Sequence, residues 1–571
     1  MFKNKKNDMT ITGTLTPLIP HKDYTESEKI VLLHFFTNID KNIYCATNNL
    51  SNQLWAFLVG QYSRSHVSLR DRFLKLFDDT QKMFEDGKIT KEDYISVDEL
   101  ASAIKSNNNP KLEIFEKKAS DFLYKWGVQY GHNSLKDADR IRYVVEGVSQ
   151  VFTKFIEAPF PCLGDFQEKS TRYLEFSMDK IVFPPELVGT KYETKAKELL
   201  EKLFENYKNM LPIVRDFVVK NNIIDRDEFS SEGAYMATLN AKIFDITRYF
   251  LPNSVSTALG ASFSTRTLET HLSWMLSSPL EEIRTIAQSM YEEGIKLSPG
   301  LLRHVKANDF EIKRKEELAN YVRKNFTNEN LPFYKGIRDS ERVQIVRYTD
   351  IDNEILASLV YYNARGVFYT FEECLEKVKT MSQTEKEKLM ELALKDRGEF
   401  DRMPREIQHG AVLAQFIMDF AAYRDLQRHR ATKQLRQGAC GIIGYDYPEF
   451  VDEKGMEEYK AKYDEVMTEV TAFAKELVKE YPYATEYISA FGNLVSTTYE
   501  MDYGQVAYIA ELRTTPHCHQ SYRTLTQEFF RQFSKIAPIY SKYIKADMRA
   551  GASRKEQEEK AEAKRKKLLG E

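Results

Sequence analysis

The sequence predicts an α+β fold, rich in helix, with helices packed on a modest sheet. Three observations lead there. Helical signals run through most of the chain, strand signals are fewer, and a faint internal repeat divides it into two related halves. At 571 residues, 42% hydrophobic and 29% charged, the chain has an ordinary globular composition. It exceeds what one hydrophobic core supports, so two domains are expected.

In chain order, Asn42-Ile-Tyr-Cys45 is a candidate strand opening the first half, followed by Arg142-Tyr-Val-Val-Glu146 and Arg172 to Phe176. Ser278-Pro279-Leu280-Glu281 reads as a helix start, with Ser as N-cap, Pro at the first helical position and Glu closing a capping box. Ile283, Ile286, Ala287 and Met290 then fall at i, i+3, i+4 and i+7, a stripe that faces a core. Lys306 to Lys324 is a charged helical stretch, and Asn325 to Pro332 a linker-like turn region. Val343 to Thr349 opens the second half as a strand. Val412 to Phe420 is readable as strand or helix, and Tyr522, Leu525, Phe529 and Phe533 form a second helical stripe. Arg549 to Glu571, almost all Lys, Glu, Ala and Arg, reads as a solvated helical tail.

The repeat rests on Leu54, Ala56, Leu58, Val59 and Arg64, which return as Ile355, Ala357, Leu359, Val360 and Arg365, an offset of 301 (365 − 64). Ser298-Pro299 is echoed by Ala537-Pro538 at an offset of 239 (538 − 299), so the second half is shorter. Duplication of a whole domain explains this better than a solenoid. The expected organisation is an extension over 1–40, a first domain over 41–305, a linker over 306–340, a second domain over 341–545 and a tail over 546–571.

Several function classes are excluded. A net charge of −3 gives no global field that recruits nucleic acid, so any anion site is local. The five cysteines, at 45, 162, 374, 440 and 518, form no Cys-x-x-Cys and suit a reducing, cytoplasmic setting. No apolar run is long enough to span a bilayer. The basic start Met1-Phe-Lys-Asn-Lys-Lys is soon interrupted by Thr, Pro, His and Asp, so no signal peptide is expected.

Two fragments carry the chemistry. Arg428-His429-Arg430 closes an apolar-faced helix, where positive side chains offset the negative C-terminal end. Three adjacent residues spread around a helix by roughly 100° each, so at least one points inward or across an interface. Arginine forks bind phosphate and carboxylate, and histidine donates or accepts near neutral pH. The second fragment, Glu168-Lys169-Ser170-Thr171-Arg172-Tyr173, sets a hydroxyl and a guanidinium two residues apart. In an extended segment, Ser170 and Arg172 share one face and can clamp one phosphate.

Arg-His-Arg, then seven residues and Ser-x-Arg, is the signature of flavin-dependent thymidylate synthases, which this chain resembles with the signature in two pieces. Counting back from Ser170 by the family spacing meets Phe160-Pro161-Cys162, and counting on from Arg430 meets Gly438 and Cys440. Each half keeps what the other has lost. The resemblance implies two related thymidylate-synthase-complementing-like domains, their helices on a mostly antiparallel sheet. It also implies reductive methylation of dUMP to dTMP, with FAD as mediator and NADPH and methylenetetrahydrofolate as co-substrates.

By the same resemblance, Arg428, His429 and Arg430 contact the flavin and stabilise charge on it, while Ser170, Arg172 and Tyr173 hold the nucleotide. Thr247-Arg248-Tyr-Phe-Leu-Pro252 is similar to the family's Ala-Arg-x-x-Leu-Pro, so Arg248 would face dUMP. Thr265-Arg266-Thr-Leu268 is similar to a flavin-proximal Asn-Ala-Arg-x-Leu with Ser264 replacing the asparagine, and the arginine expected nine residues on is Met275. Gly131-His132-Asn-Ser134 resembles a Gly-His-x-Ser flavin contact through His132 and Ser134. The histidine expected after it is Ala138, and His409 takes that place in the second half.

Glu511-Leu-Arg513 to Arg523 resembles a longer branch of the superfamily; Arg513 and Arg523 are candidate anion contacts there, with a charged loop capping the following helix as the other reading, and His517 and His519 have no assigned role. His517, Cys518 and His519 are too closely spaced to share one tetrahedral zinc, so no metal is expected. The family assembles as tetramers, so a homodimer of tandem chains would resemble one, without membrane or nucleic acid as partner. Two other readings stand beside this one: flavin-dependent methylation of another pyrimidine nucleotide or with another one-carbon donor, and a non-catalytic flavin- or nucleotide-binding homologue. Nucleic-acid binding through Arg424, Arg428, Arg430, Lys433 and Arg436 is opposed by the net charge.

Overall fold

A computed structural model describes residues 23–549, apart from 41–43, 63–67, 109–111, 130–132, 159–162, 173, 177, 179–180, 230, 327–330, 399–400, 439–440 and 517. His132, Tyr173, His517, Cys162, Cys440 and the stretch Phe160 to Cys162 therefore lie outside the described residues. The fold is α+β and helix-rich, with nine strands among the described residues. They are β1 (Arg140–Ser149), β2 (Asp165–Glu168), β3 (Ser256–Ser264), β4 (Tyr334–Lys335), β5 (Val343–Arg347), β6 (Ala411–Asp419), β7 (Lys433–Arg436), β8 (Gly444–Tyr445) and β9 (Leu494–Asp502).

Contacts divide the chain into two compact units. One comprises residues 1–143, 262–276 and 286–308. Its core is built by Phe35, Phe36, Phe73, Phe77 and Phe115, packed mostly edge to face. The other comprises residues 144–261, 277–285 and 309–571. A hydrophobic core in it draws on both sequence halves, with Leu203, Tyr249 and Phe250 beside Tyr459, Tyr463 and Phe491. The compact units therefore cut across the two halves read from the sequence.

In the second unit the sheet order is β5-β6-β9-β7. The β6–β9 pair is antiparallel and in continuous register from Ala411↔Asp502 to Asp419↔Leu494. Val412, Ala414, Phe416 and Met418 alternate inward, which settles the Val412 to Phe420 ambiguity as a strand of period two. Asp419 ends it by capping the next helix, Phe420–Leu426, accepting from the Ala422 N–H at 2.8 Å.

The repeat appears as topology. β1, β3 and β2 form a sheet in the order β1-β3-β2, and their counterparts β6, β9 and β7 repeat it as β6-β9-β7. Each first strand runs into a short helix, Gln150–Ile156 or Phe420–Leu426, and β3 and β9 run into Thr265–Leu276 and Tyr503–Arg513. The pattern noted at Leu54 and Ile355 falls on helices Asn52–Tyr62 and Ile351–Asn363. Pro252 forms an antiparallel bridge with Ala490. Their offset of 238 (490 − 252) equals that between the starts of β3 and β9 (494 − 256), so equivalent positions pair with each other. Such self-pairing is the mark of a local two-fold. A side-chain link is conserved with its roles exchanged. The Ser149 hydroxyl donates to Glu282 at 2.7 Å, whereas the Ser521 hydroxyl donates to Asp419 at the equivalent positions.

Three local expectations are corrected. Arg172 to Phe176 is not a strand, because the chain leaves β2 at Glu168 and turns at Thr171–Arg172. The helix foreseen from Ser278 starts at Glu281, whose N–H is capped by Glu186 at 2.6 Å, while the Ser278 hydroxyl accepts from Leu280. Its stripe still buries Ile283, Ala287 and Met290. Asn42 to Cys45 is described only at Tyr44 and Cys45, neither in a strand; Ala46 makes a single bridge to Phe36.

Candidate functional site

The corner where β2 and helix 420–426 meet gathers a cluster of buried charged residues. β2 delivers Glu168 into a buried position, where Thr153 donates a hydroxyl hydrogen bond at 3.2 Å and Lys154 an ammonium at 2.9 Å. After β2 the Ser170 hydroxyl accepts from the Arg172 N–H at 3.2 Å, closing a side-chain-stabilised turn. That turn, rather than a strand, aims Thr171 inward and Arg172 along the site. Arg424 donates to the Thr171 hydroxyl at 2.7 Å, and Arg248 reaches the same oxygen at 3.4 Å. Residues 253 positions apart (424 − 171) are thereby joined.

Asp245 and Arg248 come from the last turn of helix Glu232–Thr247 and the 3-10 turn that follows it. Arg172 donates through Nε at 3.1 Å and Nη2 at 2.7 Å to one Asp245 oxygen, and Arg248 Nη2 stands 3.5 Å from the other. Burial would raise the Asp245 carboxyl, but Arg248 and Arg172 outweigh it and hold it down to about 2. Glu168 behaves alike, as Lys154 and Arg424 overcome burial and keep it at about 2. Asp425 is also lowered, its burial opposed by Arg248, Arg428 and Arg513.

Arg428-His429-Arg430 follows helix 420–426 instead of ending it, since Gln427 is already the C-cap. The three side chains diverge as adjacent residues must. His429 is buried, Arg428 is about half exposed and 3.9 Å from Asp425, and the Arg430 guanidinium lies 5.4 Å from the centre of the Phe166 ring. Gln434 fixes the turn by donating to the carbonyls of Gln427 and His429, each at 3.1 Å.

Arg513, last residue of helix 503–513, donates its Nε–H to His429 Nε2 at 2.7 Å and an Nη2–H to the Asp425 carbonyl at 2.9 Å. An accepting Nε2 requires the neutral tautomer with hydrogen on Nδ1. Burial first and the Arg513 charge second push His429 well below its ordinary range, in agreement. Beyond Arg513, His519 stacks on Tyr249 at 5.9 Å and 26°, with Nε2 3.4 Å from the Asp245 carbonyl.

Five arginines (172, 248, 424, 428 and 513), with Lys154 on Glu168, thus surround three carboxylates (168, 245 and 425), so cations outnumber anions. Several of their buried polar atoms make no hydrogen bond among the described residues: Arg248 Nε and Nη2, Arg424 Nε, Asp245 Oδ1 and His519 Nδ1. Each such group costs roughly 1–3 kcal/mol when left unmade. The set fits an anionic ligand with several acceptors. The accessible guanidiniums of Arg428 and Arg430, with the Phe166 ring beside them, fit a planar, electron-rich group such as a flavin.

Of the residues singled out from sequence, Ser170, Arg172, Arg248, Arg428, His429 and Arg430 belong to this corner. Ser134 and Arg266 belong to the first compact unit, where Arg266 pairs with Asp137 at 2.9 Å. His409 is exposed, packs on Phe371 at 5.0 Å and precedes β6, whereas the corner begins after it. At about 3.3 Å per residue, the nine-residue strand separates the two by roughly 30 Å. Glu168, Asp245 and Asp425 were not assigned from sequence, and Arg513 was read there only as a candidate anion contact. The signals were Glu168 two residues before Ser170 and Asp245 at i−3 from Arg248.

Residues 88–300 match the family model described as "Thymidylate synthase complementing protein". The matched span includes Glu168, Ser170, Arg172, Asp245 and Arg248. Over 92% of its length the chain is 26% identical to a UPF0159 protein of Chlamydia pneumoniae, covering 95% of that protein. It is 24% identical to one of Chlamydia muridarum, with 92% and 95% covered. A UPF0159 protein of Thermoplasma acidophilum is 22% identical, with 77% and 91% covered. No helix among the described residues is long and apolar enough to cross a membrane. Residues 88–300 of the chain are thus similar to the thymidylate synthase complementing protein family, and the UPF0159 relatives are similar to it through both halves.

Proposed function

We propose that the chain is a flavin-dependent thymidylate synthase-like enzyme that converts dUMP to dTMP, with methylenetetrahydrofolate as one-carbon donor and NADPH as reductant. The observation that carries this reading is the 2.7 Å bond from Arg424 to Thr171, which joins the segment Glu168–Arg172 of one half to Arg424–Arg430 of the other. FAD, when bound, supplies the redox chemistry, taking reducing equivalents from NADPH and mediating methylene transfer to C5 of the pyrimidine. The chain's own residues bind, orient and neutralise.

Arg172, Arg248 and Arg513 supply guanidinium donors, and the net positive charge of the corner suits a phosphate monoester. Ser170 adds a hydroxyl beside them, and Tyr173 is assigned to the nucleotide by resemblance. Arg428 and Arg430 keep accessible guanidiniums for the flavin. His429 is held neutral by burial and by Arg513, so it serves as a fixed, uncharged brace between them. His132, Ser134, Arg266 and His409 are assigned to the flavin by resemblance. A homodimer of tandem chains would present four related halves.

The test is release of tritium from dUMP labelled at C5, assayed with FAD, NADPH and methylenetetrahydrofolate. Methylation requires loss of that hydrogen, so release above the no-enzyme rate is expected. Protein that binds flavin and dUMP yet releases none would refute the reading.

A further inference from the structure

We infer that each chain holds one nucleotide site, and that the equivalent corner of the repeat is a closed ion-pair clasp; this rests on the nucleotide reading above. At the second corner the polar groups of the site are exchanged or lost. Glu168 ends β2, and Arg436 ends the matching β7. At the offset of 238, Arg248 becomes Glu486 and Asp245 becomes Tyr483. Arg513, last residue of its helix, is matched by Met275, which is fully buried. At the offset of 239, His519 becomes Leu280.

At that corner Arg436 and Glu486 pair directly with each other. Arg436 Nη2 donates to both Glu486 oxygens, at 2.9 and 2.7 Å, and its guanidinium lies 5.4 Å from the centre of the buried Tyr423 ring. One cation meets one anion in a mostly buried setting. At the first corner five arginines outnumber three carboxylates, so a phosphate can enter without stranding a charge. At the second, a phosphate would leave the Glu486 carboxylate unpaired beside another anion, and a buried unpaired charge is heavily penalised. The duplicated position has become structural.

Titration of the flavin-loaded full chain with dUMP, by calorimetry or equilibrium dialysis, reads the stoichiometry. One equivalent per chain is expected. Two equivalents would overturn the inference and leave the functional reading standing, whereas none would overturn both. Arg248→Ala should remove the whole equivalent; a residual half would also count against a single site. The double variant Arg436→Ala, Glu486→Ala should keep one equivalent with affinity within about twofold while its Tm falls by several degrees. Loss of nucleotide binding in that folded variant would place the second corner in the site and overturn the inference. Should it fail to fold, Glu486→Gln is held to the same expectation of unchanged binding.

Discussion

Arg513 and His429 stand 84 residues apart in sequence and meet through a 2.7 Å Nε–H to Nε2 hydrogen bond. The bond fixes the tautomer of a histidine whose two neighbours are both arginines, and it carries a pH consequence. Burial and Arg513 hold the His429 pKa well below its ordinary range. The unfolded chain therefore binds the proton first, near its usual pKa of about 6.5. Stability from this site is complete above that pH and falls as pH drops below it. His519 is lowered in the same direction, mainly by burial and then by Arg248. Tm measured from pH 7.5 to 5 should decline below about 6.5, and His429→Gln should flatten the decline; an unchanged slope would show that His429 does not titrate this way.

Asp245 takes both donors of Arg172, and both side chains are largely buried. Arg172→Ala leaves that carboxylate with Arg248 alone, so a loss of roughly 3–5 kcal/mol of stability is expected. On the proposed role, dUMP affinity should also fall by at least about tenfold, as 1.4 kcal/mol corresponds to tenfold. Urea denaturation and nucleotide titration of the same variant separate the two effects. Equal midpoints with wild type would contradict the buried-pair account.

Thr171→Val keeps the shape and removes the one hydroxyl shared by Arg424 and Arg248. Charged donors left without it should cost about 1–3 kcal/mol. A midpoint within error of the wild-type value would mean that water takes its place.

Arg428→Ala should abolish flavin retention through purification, seen as loss of the yellow absorbance, with little effect on Tm because the side chain is about half exposed. Full flavin content in the variant would refute the flavin role of the triplet.

At low pH the buried carboxylates dominate. Asp245 and Glu168 are each held at about 2 by neighbouring cations. Their unfolded values are near 4, so they stabilise fully above about pH 4.5 and lose that contribution as pH falls toward 2. Lys154→Met removes the cation nearest Glu168 and should move this acid transition to higher pH, measurable by circular dichroism. A transition at the wild-type pH would exclude Lys154 as the cause.

Much of this was legible in the residues because local chemistry decided it. The alternation of Val412, Ala414, Phe416 and Met418 foretold β6 as one of two choices, and adjacent arginines and histidine had to diverge. The strand expected at Arg172 to Phe176 failed because alternation cannot register a Ser170 hydroxyl that accepts from the backbone two residues on. Arg513 was legible only as a candidate anion contact, without its partner. Its place is set by β9 and the helix after it, and the offset of 238 sets it against Met275, where the family pattern expects an arginine. Asp425, two residues after Tyr423, carried no signal apart from its neighbours.

The bridge between Pro252 and Ala490 sets how the two copies can evolve and dissociate. In an assembly of identical subunits, one codon change alters both sides of such a contact at once. Here the two sides are encoded separately, so proline can occupy one and alanine the other. Covalent continuity also makes this association independent of dilution, so the pooled corner persists at protein concentrations where separate copies would drift apart.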